Sequence, residues 1–70
     1  MKRTAVDSSN LASVGYEPVS QILEVEFNSG TVYQYFDVPQ SEYDDLMAAD
    51  SHGRYFNQNI RDVYRYNRIR

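Results

Sequence analysis

Gln21-Ile22-Leu23-Glu24-Val25-Glu26-Phe27, then Asn28-Ser29-Gly30, then Thr31-Val32-Tyr33-Gln34-Tyr35-Phe36 is the stretch that decides the fold. In an extended chain Leu23, Val25 and Phe27 fall on one face and Glu24 and Glu26 on the other, the alternation of a half-buried strand. Asn28-Ser29-Gly30 is a short loop whose glycine takes positive φ at little cost. Thr31 to Phe36 runs back as a second strand rich in β-formers and ends before Val38-Pro39. Tyr33 and Tyr35, spaced by one residue, point to the same face and form two aromatic plates side by side. Such a pair is either a core with polar rims or a stacking surface for a ligand.

The register of the hairpin decides where those plates go. If the turn is a three-residue loop with Gly30 in the left-handed region, Phe27 faces Thr31, Val25 faces Tyr33 and Leu23 faces Tyr35, and both tyrosines join the apolar face. If Ser29-Gly30 alone form the loop, Val25 faces Gln34 and the tyrosines move to the face bearing Glu24 and Glu26. Asn-Ser-Gly suits a type I turn closed by a glycine bulge, which favours the first arrangement, and the second would bury Gln34.

Working outward, Leu11 to Tyr16 is a candidate strand closed by Glu17-Pro18, because proline restricts both itself and the residue before it. After Pro39 the apolar period lengthens. Tyr43, Leu46 and Met47 fall at helical spacing within Gln40 to Ala49, with acids early and a capping-box echo at Ser41 and Asp44. Asp50-Ser51 offers new caps for a second helix over Arg54 to Arg61, with Phe56, Ile60 and Val63 on one stripe and Gly53 easing the reversal between helices. The predicted class is α+β: a small antiparallel three-stranded meander followed by two short helices packed on one face. Leu23, Val25, Phe27, Tyr43, Leu46, Phe56 and Ile60 are its predicted core. Residues 1–7 are polar and read as a flexible lead-in, residues 8–61 form the domain, and residues 62–70 are an extension alternating tyrosine and arginine, either an edge strand or a tail.

Seventy residues make one domain, and a core of this size supplies only about 3–5 kcal/mol without a staple. The chain has no cysteine and one histidine, which removes disulfides, thiolate metal sites and histidine clusters from the menu. Aromatic burial carries the stability instead, through seven Tyr and three Phe. No apolar run approaches the roughly 18 residues of a membrane span, and none follows Met1-Lys2-Arg3 as a signal peptide would, so the chain reads as soluble and cytoplasmic. A net charge of −3 speaks against coating nucleic acid by bulk attraction. The distribution is polarised, however. Nine of the ten acids lie at or before Asp50, and five of the seven basic residues, all arginines, lie after it. That basic end either binds an anion or a second copy, or docks on the acidic body of its own chain.

Three groupings invite a chemical interpretation. Ser51 beside His52 suggests a nucleophile and its base, but neighbours at a helix start rarely align, and capping by Ser51 explains the pattern more simply. Glu24 with Glu26 and Asp44 with Asp45 lack the spacing of a cation site and read as solvated charges that keep sheet edges soluble. Tyr33 and Tyr35 have the spacing to stack two adjacent bases, with Arg54, Arg61 or Arg65 meeting phosphates. The simpler structural alternative puts both rings under the helices with only their hydroxyls reaching solvent or a backbone partner.

Ser8-Ser9-Asn10, Val14-Gly15-Tyr16, Leu23, Val25, Phe27, Gly30, Tyr33-Gln34-Tyr35, Val38-Pro39, Ala49, Ser51, Gly53-Arg54-Tyr55-Phe56-Asn57 and Ile60-Arg61 together resemble the KTSC domain, whose hallmark is a central Tyr-x-Tyr. The likeness covers roughly residues 8–61. That family takes its name from the C-terminus of some lysyl-tRNA synthetases and also occurs as small stand-alone bacterial and phage proteins. The resemblance implies RNA binding by association with the synthetase, and it supplies no mechanism. It also implies that Asn57 is a buried amide bonded to backbone near the hinge, with Arg61 in a similar anchoring part. The expected function is a non-enzymatic binding domain without cofactor or metal, acting on RNA or single-stranded nucleic acid through Tyr33, Tyr35, Arg54, Arg61 and Arg65. The alternative is a protein-interaction or self-associating module.

Overall fold

The computed structural model describes residues 1–70. Its centre is the hairpin of β3 (Ile22–Phe27) and β4 (Val32–Tyr35), which two earlier strands precede in the chain. Gly30 has φ 93°, the Phe27 amide donates to the Thr31 carbonyl at 2.9 Å, and the Gly30 amide donates to the Phe27 carbonyl at 2.9 Å. Only a residue without Cβ adopts that φ cheaply, so Gly30 sets the three-residue loop. The register follows: Leu23 faces Tyr35 and Val25 faces Tyr33. Both tyrosines lie on the apolar face, as the favoured arrangement requires.

The sheet has five antiparallel strands in sequence order, not three. β2 (Leu11–Glu17) pairs with β3, and a bulge between Leu11 and Ser13 turns Leu11 and Val14 to the same buried face. β1 (Thr4–Ala5) pairs with β2 through Thr4 opposite Val14, so the supposed lead-in is a paired edge. β5 (Tyr66–Arg68) pairs with β4 and resolves the C-terminal extension as an edge strand. Both additions are short, exposed and held by backbone pairing, a bond type that leaves no apolar pattern in sequence.

Helices α1 (Gln40–Ala48) and α2 (His52–Asn59) cover one sheet face. Pro39 is the N-cap of α1 and makes no side-chain cap bond, so the Ser41–Asp44 echo is not used. Ser51 does cap α2, accepting from the Arg54 amide at 3.2 Å. His52 Nδ1 meets the Leu46 carbonyl at 2.9 Å, tying the two helices at their junction. The core joins Leu11, Val14, Leu23, Val25, Tyr35 and Val38 to Leu46, Phe56 and Ile60. Phe27 and Tyr43 pack against this core only partly buried, and Val63 is 65% exposed because the chain leaves the helical path at Ile60. Glu42 of α1 accepts hydrogen bonds from the hydroxyls of Tyr55 at 2.6 Å and Tyr64 at 3.1 Å, clamping the chain on either side of that exit.

The opposite face is not a row of solvated acids. Glu24 is 6% exposed and accepts from Arg3 at 2.5 Å and from Gln34 at 2.9 Å. Arg3 also donates to Ser13 at 2.9 Å, and Ser13 donates to Glu26 at 2.8 Å. A buried carboxylate requires such partners, and the N-terminal segment supplies the cation. No helix of the molecule is long and apolar enough to cross a membrane, and no group of three or more His, Asp or Glu side chains converges as a metal site would require.

Candidate functional site

Where β4 and β5 run past the edge of α2, the aromatic face of the sheet is left partly uncovered. An open cavity of about 450 Å³ lies there, within the range of small-ligand sites. Five rings wall it: Phe27, Tyr33, Tyr35, Phe56 and Tyr66. They contact one another in a chain, with Phe27 edge-on to Tyr33 at 5.7 Å and to Phe56 at 5.5 Å, and Tyr35 edge-on to Phe56 at 5.4 Å. Tyr66 stacks on Tyr33 at 5.4 Å. Asn10, Asn57, Arg61 and Asp62 contribute polar groups to the same cavity.

Tyr35 is, with Phe56, among the most deeply buried of these residues, at 2% exposure. Its hydroxyl makes no hydrogen bond within the molecule, yet no fully buried polar side-chain atom is left without a partner. The hydroxyl is therefore the part of the ring that opens to the cavity. Burial pushes its pKa up to about 12, with Tyr33 and Tyr66 adding to the rise and Arg61 opposing it. At neutral pH it is a protonated phenol, able to donate one hydrogen bond and accept another.

Asn10 and Asn57 form the ridge between this cavity and a polar depression of about 460 Å³ lined also by Ser9, Ser51, Gly53, Arg54 and Gln58. Asn10 lies so close to the first turn of α2 that a Cβ on Gly53 would run into its Oδ1. Gly53 is therefore needed for this approach, not for the reversal between helices. Ser8 Oγ donates to Asn10 Oδ1 at 3.0 Å, and the Asn28 amide donates to the Asn10 carbonyl at 2.9 Å, which fixes the ridge against the hairpin loop.

The five predicted site residues are thus divided. Tyr33, Tyr35 and Arg61 share the aromatic cavity, and Arg54 sits across the ridge in the polar depression. Arg65 lines neither; its guanidinium lies 5.3 Å from the Phe36 ring centroid and 3.7 Å from Asp37. Tyr33 and Tyr35 do not form an open stacking platform, because Tyr66 covers Tyr33 and Tyr35 is buried to its hydroxyl. Asn57 and Arg61 are exposed wall residues and not buried anchors, since α2 turns Asn57 away from the core and Arg61 lies in the turn that follows the helix. Arg70 pairs with Glu26 at 3.2 Å, while Arg54, Arg61 and Arg68 pair with no acid. Phe27, Tyr66, Asn10 and Asp62 were not foreseen here. The alternation of tyrosine and arginine in the C-terminal segment was the available signal for Tyr66.

The fold and this Tyr-x-Tyr cavity define a small α+β domain of a recognisable class. The sequence model of the KTSC domain matches residues 7–64, and the chain belongs to the KTSC domain family. An uncharacterized protein of Stutzerimonas stutzeri is 54% identical over 70 residues, covering 99% of both chains. The crystal structure of a KTSC domain protein from Yersinia pestis superposes with a TM-score of 0.96 at 35% identity, covering 99% of this chain and 97% of that one. A lysine–tRNA ligase of Nostoc sp. is 36% identical over 63 residues, which are 90% of this chain but 11% of the ligase.

Proposed function

We propose that this chain is a non-enzymatic, cytoplasmic module that binds single-stranded nucleic acid, RNA first of all, by taking one unstacked base into the aromatic cavity. The supporting observation is the cavity itself: five rings around a space of ligand size, with the unpaired Arg61 at its wall and the unpaired Arg54 across the Asn10–Asn57 ridge. Bases are held by stacking and edge contacts with aromatic rings, each worth about 1–3 kcal/mol, while arginines meet the backbone. A base inserted beside Tyr33 would leave its strand running over the ridge toward Arg54. The lysine–tRNA ligases that carry a matching segment lend the same class of partner, and the cytoplasmic assignment, by association.

Fluorescence anisotropy of a labelled single-stranded RNA tests this. Affinity should fall as salt rises from about 50 to about 200 mM, with the shallow slope of two or so phosphate contacts. A protein partner is favoured by a different observation, the position of the exposed strand β5 at the edge of the sheet, followed by Ile69 at 47% exposure. It predicts association that is insensitive to salt, with no RNA binding at any salt concentration.

A further inference from the structure

The turn that follows α2 sets an acceptor and a donor side by side at the cavity mouth. Ile60 is fully buried, the Arg61 amide donates to the Phe56 carbonyl at 3.0 Å, and the Val63 amide donates to the Ile60 carbonyl at 3.1 Å. Consecutive residues Arg61 and Asp62 are thereby held at the wall while their side chains remain exposed. Neither makes an ion pair with any residue of the chain, although both are charged. Beneath them lies the Tyr35 hydroxyl, 98% of whose residue is buried and which has no partner in the molecule. That hydroxyl opens to the cavity as a free donor and acceptor, which a ligand with polar edges would engage.

We infer that the cavity selects guanine, with the Asp62 carboxylate accepting from the base's N1–H and N2 amino group, Arg61 donating to O6 or N7, and the Tyr35 hydroxyl taking a remaining ring or sugar atom. This deepens the nucleic-acid function above and rests on its central step, the entry of a base into the aromatic cavity. Guanine alone among the four bases carries two adjacent donors beside acceptors on neighbouring atoms. Adenine and cytosine would turn a ring acceptor toward the carboxylate, leaving two lone pairs opposed, and uracil offers one donor where guanine offers two. The Arg61–Asp62 pair is acceptor-only beside donor-only, the complement of the guanine edge.

Calorimetric titration with single-stranded RNA oligomers, uridine throughout except for one central nucleotide that is G, A, C or U, decides the matter, with guanosine monophosphate as a separate arm. The G oligomer should bind about tenfold tighter than the other three. Asp62→Asn should reduce that preference to within about threefold, by weakening the G oligomer more than the all-uridine one. Tyr35→Phe keeps the ring and the core and should weaken the G oligomer more than the all-uridine one; an amide NMR spectrum confirms that each variant is folded. Equal binding of all four oligomers would overturn guanine selection while leaving nucleic-acid binding in place. Binding of guanosine monophosphate with no oligomer bound would retain guanine selection and overturn the single-strand function, pointing to a free nucleotide as the source. Absence of binding in every arm would overturn both.

Discussion

Tyr66 lies face to face on Tyr33, with ring centroids 5.4 Å apart and planes 14° from parallel, although strand register sets Tyr66 opposite Tyr35 and Arg68 opposite Tyr33. The diagonal contact ties the last strand to the sheet and completes the cavity wall. Stacked pairs are worth about 0.5–1.5 kcal/mol beyond their area. Tyr66→Ala should therefore lower the melting temperature by about 5 °C in a domain of this size, read by circular dichroism. Tyr66→Phe should leave it nearly unchanged, because the Tyr66 hydroxyl bonds nothing in the molecule. An equally unstable Phe variant would show that the stack does not hold β5.

Glu24 makes stability depend on acid. Burial pushes its carboxyl up, but hydrogen bonds from Gln34 and Arg3, with the Arg3 charge, outweigh that and hold it below its ordinary value of 4.5. Folding therefore favours the carboxylate. Its contribution is complete above the unfolded value and is lost as pH falls through the lower folded one. Urea midpoints recorded downward from neutral pH should drop below about pH 4.5 for the native chain and drop less for Glu24→Gln. Parallel curves for the two proteins would contradict the network.

Loss of the Arg3 cation should itself destabilise the fold. Arg3→Met leaves Glu24 buried with Gln34 alone and should cost about 2 kcal/mol at neutral pH, measured by urea unfolding. A loss within about 0.5 kcal/mol, the ordinary cost of a surface change, would mean that the N-terminal strand contributes little.

Gly53→Ala adds helix propensity and still should destabilise, by about 1 kcal/mol, because the new methyl displaces Asn10. In an Asn10→Ala background the same change should be neutral or stabilising. A double-mutant cycle in thermal unfolding measures this coupling, and additive effects would show that the two residues do not meet.

Arg61 and Arg65 should separate in binding. Arg61→Ala removes a cavity wall group and should weaken single-stranded RNA severalfold, lowering the salt slope by about one. Arg65→Ala removes an exposed pair with Asp37, both side chains more than 70% exposed, and a contact over the Phe36 ring, and should change stability by no more than about 1 kcal/mol and affinity by less than about twofold. Equal losses for both variants would place the nucleic acid elsewhere.

The central hairpin was legible because Asn28-Ser29-Gly30 and the Leu23-Val25-Phe27 alternation report the same register independently. Five of the nine core residues, Leu23, Val25, Leu46, Phe56 and Ile60, followed from strand alternation and helical spacing, and the two helices from the longer apolar period after Pro39. β1 was hidden because Thr4-Ala5 is too short to carry a period, whereas the tyrosine-arginine alternation of the C-terminal segment fitted an edge strand or a tail equally, and the contact of Tyr66 with Tyr33 decides for the strand. The burial of Glu24 depends on Arg3, 21 residues away, a partnership that strand alternation cannot announce. Tyr33, Tyr35 and Arg61 were recognisable as candidates from residue type. Their enclosure in one cavity depends on where α2 ends, and Val63 continues the helical stripe in sequence although the chain has already left the helix.

Amide chemical-shift mapping during titration with single-stranded RNA decides whether a base enters the aromatic cavity. Shifts should concentrate at Tyr33, Tyr35, Asn57, Arg61, Asp62 and Tyr66, with smaller ones around Arg54. Shifts confined to the β1 edge and the Arg3–Glu24 face, or none at low salt, would contradict base entry.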